Sequence, residues 1–352
     1  MLREPVPTEG TLEQPTSSVP AEEPGIEPRP GAWATVRGGL AGVKELNILL
    51  ALIVLCAFLS VASPYFLTTD NALGVARAFS LTAIAAIGQT MVIITGGIDL
   101  SVGSVLALSG LSTGLLLADG LPLVPSIIAG LGVGVLFGLC NGLLITGIGL
   151  PPFIATLGML SIGRGLVYIL TKGYPVTIPR GEDLLLQVGQ GYVGQVPVPV
   201  IIMLVITVIA TLFLSKTTLG RYIYAVGGNE EAARLAGINV NRVKLFVYTV
   251  SGLLSAISGI ILLSRLVSAQ PSAGLGFELP VIAASIIGGT SLLGGEGTVL
   301  GAVLGAAIIG VLENGMVLLG VNTYAQQAVT GAVVLLAVAL DIWQKRRRQR
   351  VA

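Results

Sequence analysis

Between Leu46 and Ile342 the chain runs for 297 residues with only 21 charged side chains. A soluble fold must cover itself with polar groups, and ordinary domains use about 25% charged residues to do so. Here 11% of the chain is charged and 53% is apolar. Such a stretch belongs in a bilayer, where apolar surface needs no covering. The missing charges sit at the ends: 11 of the 37 lie in the first 45 residues and five in the last ten.

Composition excludes several function classes. The chain has no histidine, which removes imidazole bases and imidazole metal ligands. Net charge is +1, so no global field calls for nucleic acid. Cys56 and Cys140 lie inside apolar runs and read as buried packing residues. Residues 1–40 are rich in Pro, Glu, Thr and Ser and are expected to form a disordered tail. No basic start followed by an apolar core marks a signal peptide, so the first apolar run is expected to stay in the mature chain.

Ten apolar runs are long enough to be read as membrane segments: 46–63, 75–95, 100–118, 124–148, 153–171, 198–214, 245–264, 279–293, 299–319 and 324–343. The expected fold is therefore an all-α polytopic membrane protein of about ten transmembrane helices. Glycines in the second, third and eighth runs leave room for broken or re-entrant pieces. With the N-terminus inside, fourteen of the nineteen basic residues fall on the cytoplasmic side, among them Lys216, Arg221, Arg234, Arg242, Lys244 and the 345–350 cluster. Only Arg77, Lys172, Arg180 and Arg265 fall outside, with Arg164 within the fifth run. That asymmetry predicts cytoplasmic N- and C-termini.

The 215–244 connection is the charged island of the apolar body. Asn229 is a good N-cap, Glu230 and Glu231 suit a helix N-terminus, and Gly237 suits the left-handed C′ position. A helix of about two turns is expected, with Ala232, Leu235 and Ala236 on one face. In Thr95–Ser104, Asp99 reads as the N-cap of the third segment, with Ser101 and Ser104 in its first turns. The run Gly288–Gly297 lacks the lysine and spacing of a phosphate loop, and reads as a flexible turn. Gln89, Thr90, Asn141, Ser161, Arg164, Glu313, Asn314, Gln326 and Gln327 are polar positions in or near the spans. They serve either interhelical hydrogen bonding or a path for a neutral solute. An ion-coupled transporter would need a titratable pair, for which only Asp99 and Glu313 offer an acid. No enzyme constellation is present in the sequence.

From about Leu46 to Asp341 the chain resembles the permease subunit of bacterial ribose/xylose-type sugar ABC importers. The blocks that carry the resemblance are Val92–Ser104, Pro152–Gly165, Gly220–Asn239, Ser268–Pro271 and Ile286–Ser291. Glu231-Ala-Ala-Arg-Leu-Ala-Gly237 is similar to the "EAA" loop by which such subunits dock on their ATPase, without the Leu-Pro that closes the longer pattern elsewhere. The resemblance implies a 46–343 permease domain, with 215–244 as its coupling loop and 344–352 as a basic cytoplasmic tail. It makes Asn229, Glu230, Glu231, Ala232, Ala233, Arg234, Leu235, Ala236 and Gly237 the ATPase-coupling helix. Gln89, Thr90, Asp99, Ser101, Asn141, Ser161 and Asn314 are candidate pathway residues. Implied partners are a second permease chain, a cytoplasmic ATP-binding cassette subunit that holds ATP and Mg, and a periplasmic or extracellular sugar-binding protein. The implied location is the bacterial inner membrane, with no cofactor, metal or catalytic residue on this chain.

Overall fold

The computed structural model describes residues 31–178 and 183–351. Of the tail expected over residues 1–40, residues 1–30 lie outside the described residues. The chain divides into two units, Met1–Ala41 and Gly42–Ala352. In the first, residues 31–41 are helical, although disorder was expected as far as residue 40. The second unit holds the rest of the structure.

Helices make up nearly all of it. They are α1 (Gly31–Ala62), α2 (Thr69–Ile94), α3 (Val102–Ala118), α4 (Leu123–Leu143), α5 (Pro152–Thr171), α6 (Asp183–Gln190), α7 (Val198–Lys216), α8 (Thr218–Gly228), α9 (Glu230–Leu235), α10 (Val240–Leu266), α11 (Glu278–Ile287), α12 (Val299–Leu318) and α13 (Thr323–Val351). A π-helix, Leu144–Ile148, extends α4. The strands are two residues each: β1 (Val176–Thr177) pairs antiparallel with β4 (Ser268–Ala269), and β2 (Tyr192–Val193) with β3 (Val196–Pro197). Helix starts follow local chemistry. Thr68, Thr217, Asn229, Asn239 and Thr298 each accept a first-turn N–H, and Pro152 opens α5 where no N–H is needed.

Each of the ten apolar runs contains a helix, and seven of these are long and apolar enough to cross a membrane: α1 from Glu45, α2, α4 with its π extension, α5, α7, α10 and α12. Three are shorter: α3, α11 and the Thr323–Ala339 part of α13. The eighth run, expected to continue to Leu293, stops at Ile287, because Gly288 ends the helix and Gly289 turns left-handed at φ +82°. Ten residues span only about 15 Å. The connection from α10 to α11 doubles back along α3. Leu263 lies beside Gly114, whereas Gly274 lies against Gly103, eleven residues or about 16 Å lower along α3.

α10 is the central element, packed against α4, α3 and α2, while α12 packs on α2 and α11. The approach is at backbone distance: a Cβ on Gly252 would strike the Gly134 carbonyl, and one on Gly259 the Leu106 carbonyl. Buried serines tie the helices further, with Ser258 Oγ donating to Leu81 O at 3.0 Å and Ser285 Oγ to Ala86 O at 3.2 Å. The outward faces of α1, α5 and α7 carry exposed Ile53, Phe58, Ile154, Ile169, Val208 and Ile209, the surface a bilayer accepts. Cys56 and Cys140 are half-buried, less enclosed than expected. The 172–197 connection contains the amphipathic α6; its Leu185 is buried and its Gly189 N–H donates to Ser264 Oγ at 2.7 Å.

Candidate functional site

Two places gather the residues singled out in the sequence. The first is the break between α2 and α3. Asp99 does not cap α3: Ser101 occupies the cap position and the helix begins at Val102. Asp99 Oδ1 instead accepts from Ser101 N at 2.9 Å and Ser101 Oγ at 2.6 Å, an Asx turn made two residues ahead. With Oδ1 occupied there, the carboxylate cannot reach the first-turn amides. Its Oδ2 accepts from Ser251 Oγ of α10 at 2.8 Å. Asn141 Nδ2 of α4 donates to Ser101 Oγ at 2.8 Å. The Gln89 amide of α2, oriented as its neighbours require, donates to Asp99 O at 3.0 Å and accepts from Asp99 N at 3.2 Å. Thr156 Oγ1 of α5 donates to Ile98 O at 3.2 Å.

Five helices thus meet around one carboxylate that is 1% exposed. No basic side chain pairs with it among the described residues. Three donors to Asp99, two of them on Ser101, replace the water it has lost. The hydroxyls of Thr90 and Tyr248 and the Asn141 Oδ1 are buried without a partner among the described residues. Of the seven candidate pathway residues, Gln89, Asp99, Ser101 and Asn141 are bonded into this network, and Thr90 is buried on α2 next to Gln89 in sequence. The other two lie apart. Ser161 is exposed on α5, its hydroxyl turned back to Leu157 O at 3.2 Å, and Asn314 exchanges amide bonds with Asn71 at 2.8 and 3.1 Å. The network is a clasp between helices rather than an open lining. Sequence reading missed Ser251, Thr156 and Tyr248, since nothing local marks a serine whose partner is 152 residues away. Asp99→Asn keeps the shape and one acceptor but loses the charge-assisted bonds, an expected cost of about 1–2 kcal/mol. It is read as a lower unfolding midpoint of the purified chain, and an unchanged midpoint argues against the clasp.

The second place is the end of the molecule where α8 and α9 lie. Asn229 accepts from Ala232 N at 2.9 Å, and Gly237 follows at φ +82°, as expected. Ala232, Leu235 and Ala236 face outward, with Leu235 87% exposed. Ala233 faces inward and is buried in the chain's own core. Glu230 Oε2 accepts from Lys244 Nζ at 2.6 Å and Oε1 from Arg234 Nη2 at 2.9 Å, which ties α9 to the start of α10. The Lys244 hydrogen bond, helped by Arg234, holds the Glu230 carboxyl below the usual range.

A depressed acid stabilises the fold above its unfolded pKa, and that contribution disappears as pH falls through the folded value. With the carboxylate side chain 43% exposed, water screens the pair to below about 1 kcal/mol. Glu230→Gln is therefore expected to lower the unfolding midpoint slightly at pH 7. The gap from the parent should close as pH falls below the ordinary glutamate value of about 4.3. A gap independent of pH contradicts the assignment.

The glycine run 288–297 belongs to the same end and is not a free turn. Gly295 N donates to Ile94 O at 2.9 Å, and Tyr224 Oη of α8 donates to Gly297 O at 2.8 Å. Gly227 of α8 sits so close that a Cβ there would fall on the Ile94 carbonyl oxygen. The end of α2, the loop before α12 and the α8–α9 segment are thereby joined through backbone.

Comparison with known proteins fits this architecture. A family model described as branched-chain amino acid transport system / permease component matches residues 71–338. The ribose import permease protein RbsC of Haemophilus influenzae is 45% identical over 299 residues, 84% of this chain and 93% of its own. The Bacillus subtilis protein of the same name is 46% identical over 300 residues, 85% and 93% of the two chains. The D-allose transport system permease protein AlsC of Escherichia coli is 40% identical over 290 residues, 82% and 88%.

Proposed function

This chain belongs to the family of branched-chain amino acid transport system permease components, and on that premise we propose that it is the membrane-spanning subunit of an ATP-binding cassette importer for a ribose-like monosaccharide. A separate cytoplasmic subunit binds ATP and Mg and does the hydrolysis. A soluble sugar-binding protein delivers the solute, and a second copy of this chain completes the pathway. The chain itself is not an enzyme and carries no cofactor.

The observation that carries the coupling reading is the capped α9 with Leu235 projecting outward, at the end where α8 locks onto α2 and the 288–297 loop. In this reading Asn229 to Gly237 form the docking element, and movement of the ATPase reaches α2 through Gly227. Asp99, Gln89, Ser101 and Asn141 hold the helices that rearrange.

We infer ten crossings with both termini cytoplasmic in the bacterial inner membrane. The loops meant to lie inside, 95–101, 217–239 and 288–298, converge at one end. Those meant to lie outside pair through β1 and β4, and Tyr192 stacks on Arg77 near the other end of α2. Basic residues favour the same orientation.

The test is uptake of labelled ribose by the chain reconstituted with the ATPase and binding protein of its own system. ATP-dependent uptake that survives a protonophore is expected, with allose and xylose as competitors. Uptake that follows the proton gradient at constant ATP instead identifies an ion-coupled secondary transporter.

A further inference from the structure

Arg164 stands in the middle of α5, about 18 Å from its start and about 11 Å from its end. It is half-buried on a helix whose exposed side chains include Ile154, Leu157, Ile162, Leu166, Ile169 and Leu170. A guanidinium at that depth cannot face hydrocarbon, so the surface around it meets water or polar groups. One nitrogen is accounted for: Nη1 donates to Ala273 O at 2.6 Å and Pro271 O at 3.4 Å, on the connection between α10 and α11. Nε and Nη2 make no hydrogen bond among the described residues.

Glu278, the first residue of α11, is within electrostatic reach of Arg164 yet closes no ion pair with it among the described residues. Its carboxylate accepts no hydrogen bond there either. Ser161, Arg164, Gly165 and Tyr168 follow the i, i+3, i+4, i+7 spacing of one helical stripe. Tyr168 is 41% exposed, and a Cβ on Gly165 would meet open space.

We propose that this stripe of α5, together with Glu278, lines an aqueous path at mid-membrane and supplies hydrogen bonds to a neutral polyhydroxyl solute. Free guanidinium donors and a free carboxylate acceptor, held apart, match hydroxyls that both accept and donate. The ring of Tyr168 offers a flat apolar surface to the C–H face of a sugar. One positive and one negative group balance, which suits an uncharged solute. α7 makes the contrast: Leu204, Val205, Val208, Ile209 and Leu212 are its exposed residues between positions 204 and 212, all apolar. The identity of the solute rests on the importer reading above.

The experiment places a single cysteine at Ser161 or Gly165, in the complete importer in membranes, with Cys56 and Cys140 replaced by alanine. Val208→Cys is the lipid-facing control. A membrane-impermeant methanethiosulfonate needs a hydrated thiolate, so Ser161→Cys and Gly165→Cys are expected to label at least about tenfold faster than Val208→Cys. Ribose supplied with its binding protein during ATP turnover is expected to slow labelling at Ser161→Cys by at least about threefold. Rates no higher than the control overturn the proposal, whether lipid or a dry contact with a second copy covers the stripe. Fast labelling that ribose leaves unchanged overturns the solute contact. Failure of the parent importer to take up ribose with ATP is a separate result, and it counts against the importer reading instead.

Discussion

Leu235→Glu is expected to abolish ATP-dependent uptake and co-purification with the ATPase subunit, while the chain itself unfolds at the same temperature as the parent. Leu235 is 87% exposed and touches nothing that holds the fold together, so a polar replacement costs the isolated chain within about 0.5 kcal/mol. At an interface the same change buries a carboxylate against an apolar groove. A central anchor is typically worth at least about 2 kcal/mol, and an uncompensated charge adds to that. Together they predict a loss of binding of at least about a hundredfold. Ala233→Asp is a poor substitute, because Ala233 is 5% exposed and packs inward, so its loss of function would only report damage to the chain. Undiminished co-purification of Leu235→Glu would mean that α9 does not meet the ATPase through this face.

Gly227→Val is expected to have the largest effect on the chain itself. Its Cβ would coincide with the Ile94 carbonyl oxygen, and that carbonyl is already held by Gly295 N. Neither atom is the end of a flexible side chain, so α8 has to move away from α2 as a unit. Overpacking against rigid backbone costs about 3 kcal/mol or more, a large part of ordinary stability. The expected outcome is a drop of at least about tenfold in folded chain recovered from membranes. Gly228→Val is the internal control. Nothing lies within 4 Å of a Cβ there, so recovery should stay close to the parent. Equal behaviour of the two variants would remove the tight α8–α2 junction.

Much of α9 was legible because capping is local. Asn229, Glu230 and Gly237 lie within nine residues, and each acts on backbone that the sequence itself supplies. The clasp was legible only in part. Asp99 and Ser101 could be singled out, but the cap assigned to Asp99 was wrong, since its Oδ1 is taken by Ser101 and its Oδ2 by Ser251 on α10. The eighth run shows the same limit. Apolar composition made it look fifteen residues long, whereas Gly288 and Gly289 end α11 after ten.

Charge poverty over 297 residues determined by itself that the chain lives in a bilayer, because the transfer cost of charged groups depends on composition and not on fold. The periodic apolar runs and their caps likewise determined where helices form, since backbone hydrogen bonds in lipid must be satisfied within the segment. Which faces of those helices meet was decided only in three dimensions. Serine and asparagine look alike whether they clasp a neighbour, as Ser251 and Asn141 do, or stand open at the surface, as Ser161 does. Glycines that permit contact at backbone distance carry no mark of which backbone they will meet. That choice belongs to packing, where each contact depends on partners a hundred or more residues away.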